Sequence, residues 1–226
     1  MINRNNAALV CLLGLFSLAG AAQAANVDIA IDGGFEDAGV NGFPIDPPGP
    51  TPPGWVGFTG GGTIGITTDN PAEGTYAAQI ATTGPIQGVV IKNANLAIGL
   101  VQPNSEITIS FSARGVGLDG GVHFAELLSE FSGGGATNEI LGGGPLALNP
   151  DPNVWTDFMF TTTTGGDVSG GVSLQFVAAS GGAANSFSEL FVDNISIEVA
   201  AVPVPAALWL FGTGLGLLGL RRRRAA

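Results

Sequence analysis

Apolar and polar side chains alternate in several short segments of this chain. The clearest are residues 107–113, 156–162 and 172–176. A period of two is typical of half-buried β-strands. Residues 124–131 are the best helix candidate, but they fit a strand equally well. The alternation therefore predicts an all-β chain.

Glycine clusters separate these segments, at residues 60–62, 133–135, 142–144, 165–166 and 181–182. Such clusters are typical of turns and loops. Residues 44–53 contain six prolines, which cannot pair in a central strand, so we expect an exposed loop there. Short strands between such turns predict a single antiparallel β-sandwich over residues 25–201.

The N-terminus has the pattern of a secretory signal peptide. Arg4 precedes an apolar stretch at residues 7–22, and Ala22, Gln23 and Ala24 form a small-x-small cleavage site. We expect residues 1–24 to be removed by signal peptidase. The only cysteine, Cys11, lies in this segment, so the exported domain has no disulfide and must be stabilised by its core or by a metal ion.

The C-terminus ends in an uncharged run at residues 206–220, followed by four arginines. As a helix, the run is about 22 Å long, which is short for a hydrocarbon core of about 30 Å. Residues 200–205 extend the uncharged segment. The arginines are expected to remain cytoplasmic by the positive-inside rule, which places the domain outside.

This tail resembles the PEP-CTERM sorting signal of exported bacterial proteins. The resemblance covers residues 202–226, and the residues that carry it are Val202, Pro203, Val204, Pro205, Arg221, Arg222, Arg223 and Arg224. It implies recognition by an exosortase, removal of the tail and delivery to the cell surface or extracellular matrix. Val204 replaces the family's central glutamate. The alternative is a permanent single-span membrane anchor.

Charge narrows the choice of partners. All eighteen acidic residues lie between Asp28 and Glu198, where the only basic residues are Lys92 and Arg114. The domain therefore has a net charge of 2 − 18 = −16. Such a charge repels nucleic acid and anionic lipid surfaces, so we expect neither as a partner.

The domain is also similar to galactose-binding-like jelly rolls, which include several carbohydrate-binding modules. The resemblance spans nearly the whole domain and is carried by six short segments: Asp32–Glu36, Gly54-Trp55, Glu73–Ala78, Val101–Arg114, Trp155–Phe158 and Leu190–Ile197. The resemblance implies that the first and last segments lie close together, with a structural calcium ion held by Glu36 and Asp193 and helped by Asp32. Asp193 shares the parity of Ile195 and Ile197, so we expect its carboxylate on the apolar side of its strand, where a cation would offset the cost of burial.

Catalysis has little support in the sequence. His123 is the only histidine, which excludes the usual multi-histidine zinc sites. No Gly-x-Ser-x-Gly nucleophile elbow occurs. Eighteen acidic residues make chance carboxylate pairs unavoidable, so the sequence selects no glycosidase pair. We interpret His123 as an ordinary strand residue and the protein as non-enzymatic.

Aromatic side chains are the remaining candidates for ligand contact, because sugar rings stack on them. Trp55 follows the proline-rich segment, and we expect it in an exposed loop where its ring can bind a ligand. We expect Tyr76 and Trp155 to pack instead. The sequence thus predicts an exported, non-enzymatic protein of the bacterial surface or extracellular matrix. Two alternatives are a carbohydrate-binding module for a neutral polysaccharide and a secreted glycan-degrading enzyme.

Overall fold

The alternating segments form strands in the computed structural model, which describes residues 26–48 and 53–200. The expected signal peptide at residues 1–24 and sorting tail at residues 202–226 lie outside these ranges, as does part of the proline-rich segment. The strands are β1 (Asn26–Asp28), β2 (Gly54–Phe58), β3 (Thr63–Thr67), β4 (Ala77–Ala81), β5 (Gly88–Leu96), β6 (Glu106–Leu118), β7 (Val122–Glu130), β8 (Ala136–Ile140), β9 (Thr156–Thr163), β10 (Val172–Ala179) and β11 (Phe187–Ala200).

The strands form two antiparallel sheets. Sheet A has the order β3-β4-β11-β6-β9, and β1 pairs with the end of β11. Sheet B has the order β2-β5-β10-β7-β8. The turn between β6 and β7 carries the chain from one sheet to the other. The predicted all-β antiparallel sandwich is confirmed, and the ambiguous residues 124–131 lie mostly in strand β7.

The core lies between the sheets, where the inward side chains of both meet. Burial alternates along the whole of β7, as a period of two requires. Phe111 is at the centre, with its ring centroid 4.9 Å from that of Phe176 and 5.2 Å from that of Phe158. Because Phe111 belongs to sheet A and Phe176 to sheet B, this contact joins the two layers.

The described part of the proline-rich segment runs along the edge strand β2. Gly57 donates its backbone N–H to Pro44 O at 2.9 Å, and Asp46 donates to Gly57 O at 2.8 Å. Proline is compatible with this position because an edge strand does not need a full set of donors.

Within the described ranges, no helix is both long enough and apolar enough to cross a membrane.

A β-bulge in β11 contradicts one prediction from parity. The register of β11 against β6 shifts between Asp193 and Ser196, and Asn194 has a φ of 52°. Asp193 therefore lies on the outer side of sheet A, whereas Ile195 and Ile197 belong to the core. The parity prediction was wrong because one extra residue in a strand reverses the alternation beyond it.

Candidate functional site

The predicted metal ligands meet at one corner of the sandwich. Ile195 donates its backbone N–H to Gly33 O at 3.0 Å, so the first and last segments of the domain are adjacent, as the resemblance implied. A Cβ on Gly33 would lie 2.0 Å from Ile195 O, which explains glycine at this close backbone approach. A Cβ on Gly34 would lie 3.9 Å from Glu36 Cγ and 4.0 Å from Asp193 Oδ1, so the two acidic side chains flank the same glycine.

The two carboxylates bind the backbone of one loop, residues 72–76. Asp193 is fully buried, and its Oδ2 accepts hydrogen bonds from the N–H groups of Ala72 and Glu73 at 2.8 and 3.0 Å. Glu36 Oε1 accepts from Thr75 and Tyr76 at 2.7 and 3.1 Å. Burial raises the pKa of Asp193 above its ordinary value, and the backbone hydrogen bonds oppose that shift.

Asp32 has a different structural role from Glu36 and Asp193. Its two carboxylate oxygens accept hydrogen bonds from Asp37 N and Ala38 N, at 3.0 and 2.8 Å. These donors belong to the first turn of a short helix, α1 (Glu36–Asn41). Asp32 therefore satisfies helix N–H groups that have no partner within the helix, and both of its oxygens are used there.

The corner fits a hard cation in part. Glu36 and Asp193 supply adjacent carboxylates of the kind that calcium prefers, but oxygens of both already accept backbone hydrogen bonds, as those of Asp32 do. In the described ranges, no group of three or more His, Cys, Asp or Glu side chains is arranged for a metal ion. Calcium binding by Glu36 and Asp193, with Asp32 as a helper, therefore stays a prediction.

The expectation of an exposed loop at Trp55 was wrong. Trp55 lies in strand β2 and is 5% exposed. Its ring centroid is 4.5 Å from that of Phe35, and its Nε1 donates to Asp32 O at 2.9 Å. The prolines before it do not keep it in solvent, because β2 pairs with β5 and turns the ring toward the core. The ring has no free face for a sugar.

Trp155 and Tyr76 pack as predicted. Trp155 is half-buried, its Nε1 donates to Asn70 O at 3.0 Å, and the guanidinium of Arg114 lies 5.1 Å from its ring centroid. Tyr76 packs against the core and against Gly39 of α1. Trp55 and Tyr76 therefore offer no open platform for stacking, and Arg114 lies over one face of the Trp155 ring.

Arg114 connects two loops, which contain Asp69 and Pro152, to the outer face of sheet A. It is 3% exposed, and its guanidinium lies 3.7 Å from the ring centroid of Phe191. Nη2 donates to Asp69 O at 2.8 Å and Nη1 to Pro152 O at 3.3 Å. Burial lowers its pKa from the ordinary value. One of the domain's two basic side chains is thus used for structure.

The outer face of sheet B has a row of polar side chains across its three central strands. We call Lys92, Gln175 and Glu126 the polar row. Gln175 pairs directly with both of the others in the sheet register, and its Nε2 donates to Glu126 Oε2. Asn138 of β8 also donates to Glu126, at 3.0 Å. The row therefore presents ammonium, amide and carboxylate groups along one line.

Apolar side chains form a parallel row on the same face. The apolar row consists of Phe58, Val90, Val177 and Phe124, which are all half-buried and are connected by direct register pairs. It lies two residues along the strands from the polar row, a separation of about 7 Å. Four strands at about 4.8 Å spacing give it a length of about 14 Å.

The face is shielded rather than fully open. The Lys92 and Glu130 side chains are 15% and 12% exposed and form an ion pair at 2.5 Å. Sequence reasoning missed this surface, although the period of two does place Val90 and Lys92 on one side of their strand and Gln175 and Val177 on one side of theirs. The missing information was the register that aligns these strands, which are far apart in the sequence.

No family model matches the chain, and no curated protein matches it. Solved structures do match its fold. The CBM22-1 xylan-binding domain of Paenibacillus barcinonensis Xyn10C has 11% identity and a TM-score of 0.52, covering 81% of this chain and 99% of that domain. The CBM22-1–CBM22-2 tandem domain of the same protein has 14% identity and a TM-score of 0.53, covering 83% of this chain and 50% of the tandem.

An enzyme has a similar fold. Fisc, a Stig cyclase from Fischerella sp. TAU that was crystallised with an indole derivative, has 16% identity and a TM-score of 0.51, covering 79% of this chain and 100% of the cyclase. At these identities the likeness shows the fold alone. The chain has a jelly-roll β-sandwich that structurally resembles carbohydrate-binding modules, as predicted, and the same fold also occurs in cyclases.

Proposed function

We propose that residues 26–200 form a non-catalytic domain that binds a neutral polysaccharide at the outer face of sheet B. The observation that carries this proposal is the polar row beside the apolar row. A sugar ring has apolar C–H faces and a rim of hydroxyl groups. The valine and phenylalanine side chains fit the ring faces, and Gln175, Glu126 and Lys92 fit the hydroxyl groups.

The charge of the domain favours a neutral polymer. A net charge of −16 repels anionic polysaccharides, and the ammonium group of Lys92 is already paired with Glu130. Because the face lacks an open tryptophan platform, affinity depends on hydrogen bonds that compete with water. Such bonds contribute only about 1 kcal/mol each, so binding is expected to be weak.

A non-catalytic role is supported by how the titratable groups are used. Among the described carboxyl groups, Asp193 is the one whose pKa is clearly raised, and its oxygens hold the loop at residues 72–73. A general acid needs a carboxyl group that can reach its substrate. Asp193 is fully buried beneath that loop, so it is poorly placed for catalysis.

Replacing Gln175 with alanine tests the proposed face. We expect binding to a neutral polysaccharide to weaken about tenfold, because the loss of one or two hydrogen bonds changes the binding free energy by about 1.4 kcal/mol. Gln79→Ala is a matched control, because Gln79 also donates to a glutamate, Glu189, at 2.7 Å, but on the outer face of sheet A. Affinity electrophoresis in xylan, β-glucan and galactan measures both variants.

The outcomes separate the possibilities. The proposed binding face is supported if a polysaccharide retards the wild-type protein and the Gln79→Ala variant equally but retards the Gln175→Ala variant less. Equal loss in both variants, or no retardation by any neutral polysaccharide, contradicts it. Turnover of a polysaccharide contradicts the non-catalytic role.

We further propose that the domain belongs to an exported protein of the bacterial surface or extracellular matrix, delivered by exosortase processing. The support is the sequence of the signal peptide and tail, because both lie outside the described residues. We expect the mature chain to begin at Ala25 and to lack residues 221–224. Intact-mass measurement of protein extracted from the cell surface tests this, and recovery of a chain ending at Ala226 favours the permanent anchor instead.

A further inference from the structure

A groove of about 180 Å³ lies on the outer face of sheet A, above the middle of β6. Its floor is formed by Ser110 and Ser112, one side by Asp157 and Met159 of β9, and the other side by Asn194 of β11. The polar and apolar rows lie on the other sheet. The groove is therefore separate from the proposed polysaccharide site.

The two serines face outward because Phe111, which lies between them in β6, belongs to the core. Ser110 pairs directly with Met159, and Ser112 pairs with Asp157. Directly paired residues point to the same side of a sheet, so all four side chains are on the outer face. Since serine is smaller than the side chains beside it, the floor lies below its walls.

The groups that could recognise a ligand here are accessible. Met159 is 73% exposed, and Asp157 and Asn194 are exposed as well. Asp157 Oδ1 accepts a hydrogen bond from Ser112 Oγ at 2.7 Å, which directs the carboxylate over the floor. The amide of Asn194 can donate and accept hydrogen bonds. The groove thus offers a carboxylate, an amide and an apolar thioether side chain to one ligand.

Asp157 has no basic partner among the described side chains. Lys92 forms its ion pair with Glu130 on sheet B, and the guanidinium of Arg114 donates to two backbone carbonyl groups. The domain's net charge of −16 also attracts cations to its surface. An accessible carboxylate in such a field favours a ligand with a positive charge.

We propose that the groove binds one amino-sugar unit of a cationic polysaccharide. The ammonium group pairs with Asp157, hydroxyl groups bond to Asn194, and the C–H face of the ring packs on Met159. An apolar cavity of about 150 Å³ is enough to bind benzene, so the groove has room for one six-membered ring. This ligand differs in charge from the neutral polysaccharide proposed for sheet B, and neither site depends on the other.

Two oligosaccharides with the same backbone test the charge requirement. The tetramer of β-1,4-linked glucosamine has an amino group where cellotetraose has a hydroxyl group, and in weakly acidic buffer this amino group is protonated. Met159 is the only methionine after residue 1, so methionine labelled with ¹³C in its methyl group places a reporter in the groove. We expect its NMR signal to shift with the glucosamine tetramer and to stay unchanged with cellotetraose.

Replacing Asp157 with asparagine tests the ion pair, because asparagine keeps an acceptor for Ser112 but loses the charge. We expect calorimetry to show about three- to fivefold weaker binding of the glucosamine tetramer, as for an exposed ion pair. Asp167→Asn is the matched control, because it removes the same charge from an exposed residue in the loop after β9. β9 ends at Thr163, about 13 Å beyond Met159, which exceeds the Debye length of about 8 Å at physiological ionic strength. The control should therefore bind the tetramer as the wild type does.

An unchanged Met159 signal on addition of the glucosamine tetramer overturns the proposal, as does an equal shift with cellotetraose. Equal affinity of Asp157→Asn and Asp167→Asn for the tetramer would also overturn it, because net charge alone would then account for binding. The NMR measurement on the wild-type protein covers the case in which Asp157→Asn does not fold. Gln175→Ala should bind the tetramer as the wild type does, which separates this site from the polysaccharide face.

Discussion

Replacement of Asp193 with alanine is expected to lower the free energy of unfolding by about 3 kcal/mol. The fully buried carboxylate accepts hydrogen bonds from Ala72 N and Glu73 N, and also from Asn194 N at 2.7 Å. Hydrogen bonds to a charged group contribute about 1.5–3 kcal/mol each, and the desolvation of the carboxylate offsets part of that sum. Urea unfolding measures the change.

Asp157→Ala is the matched control. Asp157 is exposed and accepts a hydrogen bond from Ser112 Oγ at 2.7 Å. Its removal should cost less than about 1 kcal/mol. If both variants lose the same stability, the buried role assigned to Asp193 is incorrect.

The same variants address the predicted calcium ion. An ion that binds only the folded protein raises its melting temperature. If Glu36 and Asp193 hold calcium, the wild-type melting temperature should rise in calcium chloride relative to chelator, and Asp193→Ala should abolish the rise. An unchanged wild-type melting temperature would refute the calcium site and leave both carboxylates as ligands of the loop backbone.

Arg114→Ala is expected to have a similar effect, about 3 kcal/mol. The variant loses the hydrogen bonds to Asp69 O and Pro152 O and the stacking on Phe191. A desolvated cation–π contact contributes about 2 kcal/mol, and each hydrogen bond to a charged group contributes about 1.5–3 kcal/mol. The desolvation of the guanidinium, which lowers its pKa, subtracts from that sum.

Arg114→Lys should recover little of this loss. An ammonium group is compact and lacks the planar fork that lets Arg114 reach two carbonyl groups while stacking on a ring. Urea unfolding gives the global effect, and amide hydrogen exchange at residues 68–76 and 149–155 gives the local one. Full recovery of stability in Arg114→Lys would show that the positive charge alone accounts for the effect. Unchanged hydrogen exchange in both loops of Arg114→Ala would show that Arg114 does not stabilise those loops.

The matched control for Arg114 is Lys92→Ala, which removes the other basic side chain in the described ranges. Lys92 lies on sheet B and forms an ion pair with Glu130. Because Lys92→Ala leaves the largely buried Glu130 without its partner, we expect a loss of about 3 kcal/mol and unchanged exchange in the two loops on sheet A. Faster exchange at residues 68–76 in Lys92→Ala would mean that those loops respond to general destabilisation.

The sequence by itself determined the strands and turns of this domain. Alternation is a local property, and it identified strands β6, β9 and β10. The glycine clusters, which are also local, identified turns and loops between strands. The resemblance to jelly rolls also brought Glu36 and Asp193 together correctly, because it contained a long-range pairing that periodicity lacks. Alternation does not, however, say which side of a strand faces the core.

Only the tertiary structure determined which side of each strand faces the core. The bulge between Asp193 and Ser196 reverses the parity of β11, and pairing of β2 with β5 buries Trp55. The polar row exists because β5, β7 and β10 are aligned in one register. Each of these features depends on contacts between residues far apart in the chain, whereas a period of two is set by neighbouring residues alone.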